Sequence, residues 1–249
     1  MKTRLLAVGL LLSSALAAAA APFPLPASAP LNPATELTAP FVLSDGLTQC
    51  LITNRVKLTA TGLPATFGLW DMSAFDKNSR NVFIPSEVGA GAGVFRYNLN
   101  TRTFTTLMVG NGSGVRASNP ALFNPLNDDF SRFDPATYTP WNSLLVGEET
   151  TGGRLFEVEN PGANGNIKVR WLSKVPAVAH EGLRFDNDGN LYFIVEDNSG
   201  SIYKYVPSKK KDLASGQTFV LKVAAFTGAA GEVWNSATNT GKIRIGAAT

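Results

Sequence analysis

The chain has 249 residues, 44% of them hydrophobic and 16% charged, with a single cysteine, Cys50, and a single histidine, His180. This composition excludes a disordered, collagen-like or disulfide-stabilised chain. The formal net charge of +3 falls to +1 without Lys2 and Arg4, so neither a nucleic-acid partner nor an anionic membrane surface is expected. A zinc centre built from cysteine and histidine is excluded by number, so any metal would be held by oxygen ligands. Cys50 lies in an apolar segment and is predicted to be a buried thiol.

The N-terminal region has the features of a secretory signal peptide over residues 1–21. Lys2 and Arg4 precede an apolar run that ends in a series of alanines, as a cleavage site requires. The run is shorter than the ~20 residues that span a bilayer, so we predict an exported protein, secreted or periplasmic, with no membrane span. Residues 22–40 are rich in proline and alanine and predict an extended lead-in to one domain over residues 41–249.

The apolar runs of this domain are short and are separated by turn-forming residues. Residues 94–99 and 103–107 alternate between apolar and polar side chains around a short turn, which predicts a β-hairpin. No window outside the signal shows a clear helical stripe, so the domain is predicted to be all-β. The same pattern predicts further strands at residues 143–146, 154–158, 167–172, 183–185, 191–195, 202–206 and 218–225.

An internal repeat indicates how the strands are organised. Residues 93–97, 153–158 and 200–205 each begin with glycine and continue with an aliphatic, an aromatic and a charged residue. The aromatic residues of the three copies are 61 and 47 positions apart, close to the ~40–50 residues of a four-stranded propeller blade. This spacing favours a β-propeller over a sandwich. Propellers have four to eight blades, so we expect this chain to cover only part of the ring.

Acidic residues recur where the predicted strands end. Two strands run into adjacent acids before a glycine-containing turn, and further acids lie beside neighbouring strands. Single acids at such places are usually solvated turn residues, whereas carboxylates repeated at one rim of a propeller would converge on its channel and bind a hard cation such as calcium. His180 suits either a core position or a general acid–base role, and both interpretations stay open. The predicted metal ligands are Glu87, Glu148, Glu149, Glu181, Glu196 and Asp197.

Two of these acidic segments carry a resemblance to a known family. Thr-Pro-Trp at residues 139–141 leads through a strand to Glu148 and Glu149, and Ala-His-Glu-Gly stands at residues 179–182. With residues 132–135 and 191–207, these segments resemble the PhoX-type alkaline phosphatases over most of the domain. The resemblance implies an exported six-bladed propeller in which an axial centre of calcium and iron hydrolyses phosphate monoesters.

The resemblance also assigns residues. It matches the two acidic pairs and Glu181 to the acids that bind metal in the family, and Glu87 to the corresponding acid of the first blade. The family's cysteine, which ligates iron, is replaced here by Gly147, so we expect calcium rather than iron. The start of the chain also lacks the twin-arginine pair that is usual in the family.

Two functional hypotheses follow. The first is a calcium-dependent phosphoric monoester hydrolase that acts on a phosphorylated small molecule, with His180 as the predicted catalytic residue that orients a ligand or protonates the leaving group. The alternative is a non-catalytic, calcium-stabilised propeller that serves as an extracytoplasmic binding or scaffold module.

Overall fold

The computed structural model describes residues 41, 43, 46–60, 69–196 and 200–221, and their regular secondary structure is nearly all β, as predicted, with 43% strand and 5% helix. The described part has two short helices, α1 over Arg55–Thr59 and a 3-10 turn over Pro120–Leu122. None of its helices is long and apolar enough to cross a membrane. The predicted signal peptide and lead-in, residues 1–40, lie outside the described residues.

The chain divides into two compact units, residues 1–52 and residues 53–249. In the first unit, the backbone N–H of Phe41 donates to Oε1 of Gln49 over 3.1 Å. Cys50 is exposed, as are its neighbours Leu51 and Ile52. The prediction of a buried thiol was therefore wrong, because the apolar segment around it is not part of a core.

The described residues of the second unit form three antiparallel sheets, none of them closed. In the second and third sheets each strand pairs with the next strand along the chain. In the first sheet the first two strands both pair with the third, and the remaining strands follow in chain order. The first sheet contains β1 (Leu69–Trp70), β2 (Ala74–Phe75), β3 (Asn81–Glu87), β4 (Gly93–Asn98) and β5 (Thr103–Val109). The second contains β6 (Phe133–Tyr138), β7 (Leu144–Glu148), β8 (Leu155–Glu159) and β9 (Lys168–Trp171). The third contains β10 (His180–Phe185), β11 (Leu191–Val195), β12 (Ile202–Lys209) and β13 (Asp212–Val220).

The predicted strands correspond closely to these elements. The predicted hairpin is confirmed as β4 and β5, and the three copies of the repeat fall on β4, β8 and β12. The pattern did not predict β1, β2, β3 or β6. The last predicted strand was to begin at residue 218, whereas β13 begins at Asp212. It begins early because β12 and β13 form a long hairpin that pairs Lys209 with Asp212. Residues 222–225 of that prediction lie outside the described part.

The second sheet is buried on both faces. Every residue of β7 is buried, because successive side chains point to opposite sides and each side is covered by another sheet. Leu144 and Val146 belong to a core cluster shared with Phe83 of the first sheet. Leu145 belongs to a second cluster, shared with Phe193 of the third sheet. Two apolar interfaces therefore join the three sheets in chain order.

Candidate metal centre

An acidic cluster lies at equivalent positions of the three sheets. In each sheet, one residue pair between the first strand and its neighbour marks the place. The pairs are Trp70 with Ser86 on β1 and β3, Phe133 with Glu148 on β6 and β7, and His180 with Val195 on β10 and β11. An acid follows every member of these pairs along the chain. We refer to these six residues as the carboxylate cluster: Asp71, Glu87, Asp134, Glu149, Glu181 and Glu196.

Strand direction explains why these acids share one end of the sheets. β3, β7 and β11 all end at this side, and their antiparallel neighbours pass it in the opposite direction. The backbone fixes two of the acids in the same way: the N–H of Glu149 donates to the carbonyl of Arg132 over 2.7 Å, and that of Glu196 donates to the carbonyl of Ala179 over 3.1 Å. The cluster is therefore a property of the repeated fold.

The centre of the cluster is compact. One carboxylate oxygen from each of Asp134, Glu149 and Glu181 lies within 4.8 Å of the other two. Asp134 is buried, and the other two residues are half-buried. Hard cations such as calcium and magnesium prefer oxygen ligands of this type, so these three residues could hold one.

The carboxylates also perturb one another. Burial, a hydrogen bond with Glu196 and the charges of nearby acids raise the pKa of Glu149 to about 8. A hydrogen bond with Asp134, followed by burial and the neighbouring charges, raises the pKa of Glu181 to about 8. Burial is the main cause that raises the pKa of Asp134, with contributions from Asp71 and Glu196. Each shift has the same causes, burial and neighbouring acids, which disfavour the charged form of these carboxyl groups.

The cluster has no basic partner within the described part of the chain. Among the described residues, none of its six carboxylates forms a salt bridge with lysine or arginine. Buried charges are normally paired or bound to metal. A cation would therefore relieve the repulsion that protonation relieves in the metal-free protein.

The donor set among the described residues consists of carboxylates and includes no thiolate. A Cβ atom placed on Gly147 would lie 2.6 Å from Cβ of His180 and 2.9 Å from Cγ of Pro135. A cysteine at this position would therefore require the neighbouring strand to move. The cluster contains only carboxylate oxygens, which fits a hard divalent cation.

The predicted ligand Glu148 lies apart from the cluster. Its carboxylate accepts hydrogen bonds from the Arg154 guanidinium at 2.9 and 3.0 Å and forms a salt bridge with Arg116 at 3.1 Å. The backbone N–H of Ser131 also donates to it over 3.0 Å. Adjacent residues on a strand point to opposite faces, so the carboxylates of Glu148 and Glu149 lie in different surroundings, and the ligand role of Glu148 stays a prediction.

His180 is fully buried, and burial lowers its pKa to about 4, so its imidazole is neutral. Its ring lies 5.4 Å from that of Phe193, between centroids. Its position in the sheet is that of Trp70 and Phe133 in the other two sheets. This arrangement favours the core interpretation of His180; its predicted catalytic role stays a prediction.

The structure brings together four of the predicted ligands, namely Glu87, Glu149, Glu181 and Glu196. Asp197 lies outside the described residues. Sequence reasoning missed Asp71 and Asp134. Asp134 stands 47 positions before Glu181, the same spacing as the repeat, so the repeat could have identified it. Asp71 has no such signal, because its equivalence depends on strand register.

A cavity of about 390 Å³ opens beside the cluster, and Glu149 and Glu196 form part of its wall. Its volume lies within the range of small-molecule sites. The other lining residues are Arg132, Thr150, Thr151, Gly152, Ala177, Val178, Ala179 and Val195.

Comparison with known proteins gives no assignment: no protein-family model matches the chain, and a search of curated proteins finds no match. The geometry of the carboxylate cluster is therefore the main basis for a functional proposal.

Proposed function

We propose that this protein is a calcium-dependent hydrolase of phosphate monoesters, built on a β-propeller and exported from the cytoplasm. The observation that carries the proposal is the approach of Asp134, Glu149 and Glu181 to within 4.8 Å, with no compensating basic side chain among the described residues. The resemblance to the PhoX-type phosphatases supplies the substrate class.

The propeller part of the proposal is supported by the repetition of one unit. Three antiparallel sheets follow one another, and each is joined to the next through an apolar face. Equivalent strand ends carry the acids of all three sheets. In a propeller, such ends surround the central channel, which is where a shared cation site would lie.

Asp134, Glu149 and Glu181 would hold the cation, with Glu87, Glu196 and Asp71 around them. Bound calcium would neutralise the charge of the phosphoryl group and lower the pKa of a coordinated water. Glu196 shares a hydrogen bond with Glu149 and thereby orients its carboxylate. The cavity beside these two residues gives a phosphorylated small molecule access to the cluster.

A second candidate is a non-catalytic propeller that calcium stabilises. The observation that favours it is the position of His180, which is buried and neutral and does not line the cavity. The obvious general acid is then remote from a substrate. In this case the cluster would hold the sheets together through the cation, and the rim loops would bind a partner.

The test is turnover of p-nitrophenyl phosphate near pH 8 by the purified protein, after EDTA treatment and after addition of calcium, with iron as a separate arm. Calcium-restored turnover that Glu149→Gln abolishes, with the fold retained, supports the hydrolase. The matched control is Glu159→Gln, which changes the same residue type at the end of β8.

The same samples separate the two candidates. A folded protein whose melting temperature rises with calcium but which shows no turnover in any arm supports the scaffold. If neither turnover nor melting temperature responds to calcium, the carboxylate cluster is not a calcium site and both candidates fail.

A further inference from the structure

Among the described residues that line the cavity beside the carboxylate cluster, one has a cationic side chain, namely Arg132. Arg132 directly precedes Phe133, which is the first-strand member of the marked pair in its sheet. The corresponding residues of the other two sheets are Leu69 and Ala179, which are uncharged. Arg132 is therefore an addition to the repeat at this place.

The backbone holds Arg132 in an uncommon conformation. Its φ angle is 45°, in the left-handed region that residues other than glycine seldom adopt. Its N–H donates to the carbonyl of Val88, and its carbonyl accepts from the N–H of Glu149, each over 2.7 Å. Val88 follows Glu87, so Arg132 is tied between two acids of the cluster. Such strain persists where surrounding contacts determine it, often at functional sites.

The polar groups of this wall are available to a ligand. Arg132 forms no salt bridge within the described part of the chain, whereas Arg116, Arg154 and Arg170 all do. Thr150 and Thr151 line the same cavity and carry hydroxyl groups that can donate to an anion. A guanidinium with neighbouring hydroxyls is a common way to recognise phosphate.

We propose that Arg132, together with Thr150 and Thr151, binds the phosphoryl group of the substrate at the edge of the carboxylate cluster. The inference rests on the proposed function, because a cation must neutralise the cluster before a dianion can approach it. Arg132 thus selects for a phosphoryl group, and the acids select for the cation. The leaving group faces the rest of the cavity.

The experiment measures two binding events on the same proteins by thermal unfolding. Calcium is added first, and inorganic phosphate is then titrated into the calcium-loaded protein. The variants are Arg132→Gln and Arg132→Lys. The control is Arg102→Gln, because Arg102 is also exposed and also has a positive φ, of 57°, but lies in the turn between β4 and β5.

Phosphate is expected to raise the melting temperature of the calcium-loaded wild type. Its dissociation constant should increase roughly 10- to 100-fold in Arg132→Gln, as expected for the loss of a hydrogen bond to a charged group. The phosphate dissociation constant of Arg132→Lys should lie between those of the wild type and Arg132→Gln. That of Arg102→Gln should match the wild type. The KM for p-nitrophenyl phosphate should follow the same order, while the calcium response stays unchanged in every variant.

Equal phosphate binding by the wild type and Arg132→Gln, or no phosphate binding by a wild type that does respond to calcium, overturns this inference alone. A wild type that does not respond to calcium overturns the proposed function and this inference with it.

Discussion

Glu148 and Glu149 are neighbours in sequence, yet they lie in opposite chemical environments. Glu148 is fully buried and paired with Arg154, which also bonds Asp128. Glu149 lies in a cluster of acids that contains no basic partner among the described residues. We call the first region the Arg154 network. The difference teaches that the face of the strand, rather than the residue type, decides whether an acid is structural or is available to a ligand.

The two regions should respond differently to change. In the Arg154 network every charge has its partner inside the protein, so removing one partner leaves a buried charge uncompensated. For the carboxylate cluster the proposed partner is a cation from solution, so stability should depend on pH and on cations.

The largest effect is expected from Arg154→Met. This substitution leaves Glu148 and Asp128 buried without their guanidinium, and it removes the stacking of Arg154 on Phe156, whose ring centroid lies 4.9 Å away. The free energy of unfolding should fall by about 3–5 kcal/mol, measured by urea denaturation. Arg102→Met is the control and should change it by less than about 0.5 kcal/mol. A loss below about 1 kcal/mol would show that the network is not structural.

Calcium should have the next largest effect, through the other region. At a concentration about 100 times its dissociation constant it should stabilise the protein by about 2.7 kcal/mol. The variant Glu149→Gln with Glu181→Gln should lose most of this gain, because it removes two of the three central carboxylates. Calorimetric titration and thermal unfolding measure the effect. A full calcium response in this double variant would place the site elsewhere.

Gly147 lies on β7 directly before Glu148 and Glu149, and its replacement should have an intermediate effect. In Gly147→Ala the new methyl group would lie 2.6 Å from Cβ of the His180 side chain. We expect a loss of about 1–3 kcal/mol from overpacking, measured by urea denaturation. Gly165→Ala is the matched control, because no atom lies within 4 Å of the added group. Equal stability of the two variants would contradict the close packing of β7 against β10.

The smallest effect is the pH dependence of the metal-free protein. Because Glu149 and Glu181 have pKa values of about 8 instead of 4.5, the folded state holds more protons than the unfolded state between these values. The contribution of these two groups to stability should therefore be greatest below about pH 4.5 and should decline as the pH rises towards 8. The decline should be on the order of 1 kcal/mol after solvent screening, since both residues are only half-buried.

Thermal unfolding between pH 5 and 8 measures this decline. Saturating calcium should remove it, because the cation takes the place of the protons. The double variant Glu149→Gln with Glu181→Gln should also show a flatter profile. A decline of the same slope in that variant would assign the pH dependence to other groups.

Much of the fold could be predicted because its determinants are local. Alternation of side chains predicts β4, β5 and β11 with nearly the observed bounds, and the spacing of the repeat predicts that β8 and β12 are equivalent strands. The length of β13 could not be predicted, because it comes from pairing along the whole of β12. Register beyond a short hairpin depends on the partner strand.

The sequence by itself determined the all-β class, the repeated unit and four acids of the cluster, since these depend on composition and on spacing along the chain. Tertiary structure alone decided that Glu148 is withdrawn into the Arg154 network, that Asp71 joins the cluster, and that His180 takes the place of a core aromatic residue. The physical reason is that burial and charge compensation depend on which face of a strand a side chain occupies and on what packs against that face. Neither is visible until the sheets are stacked.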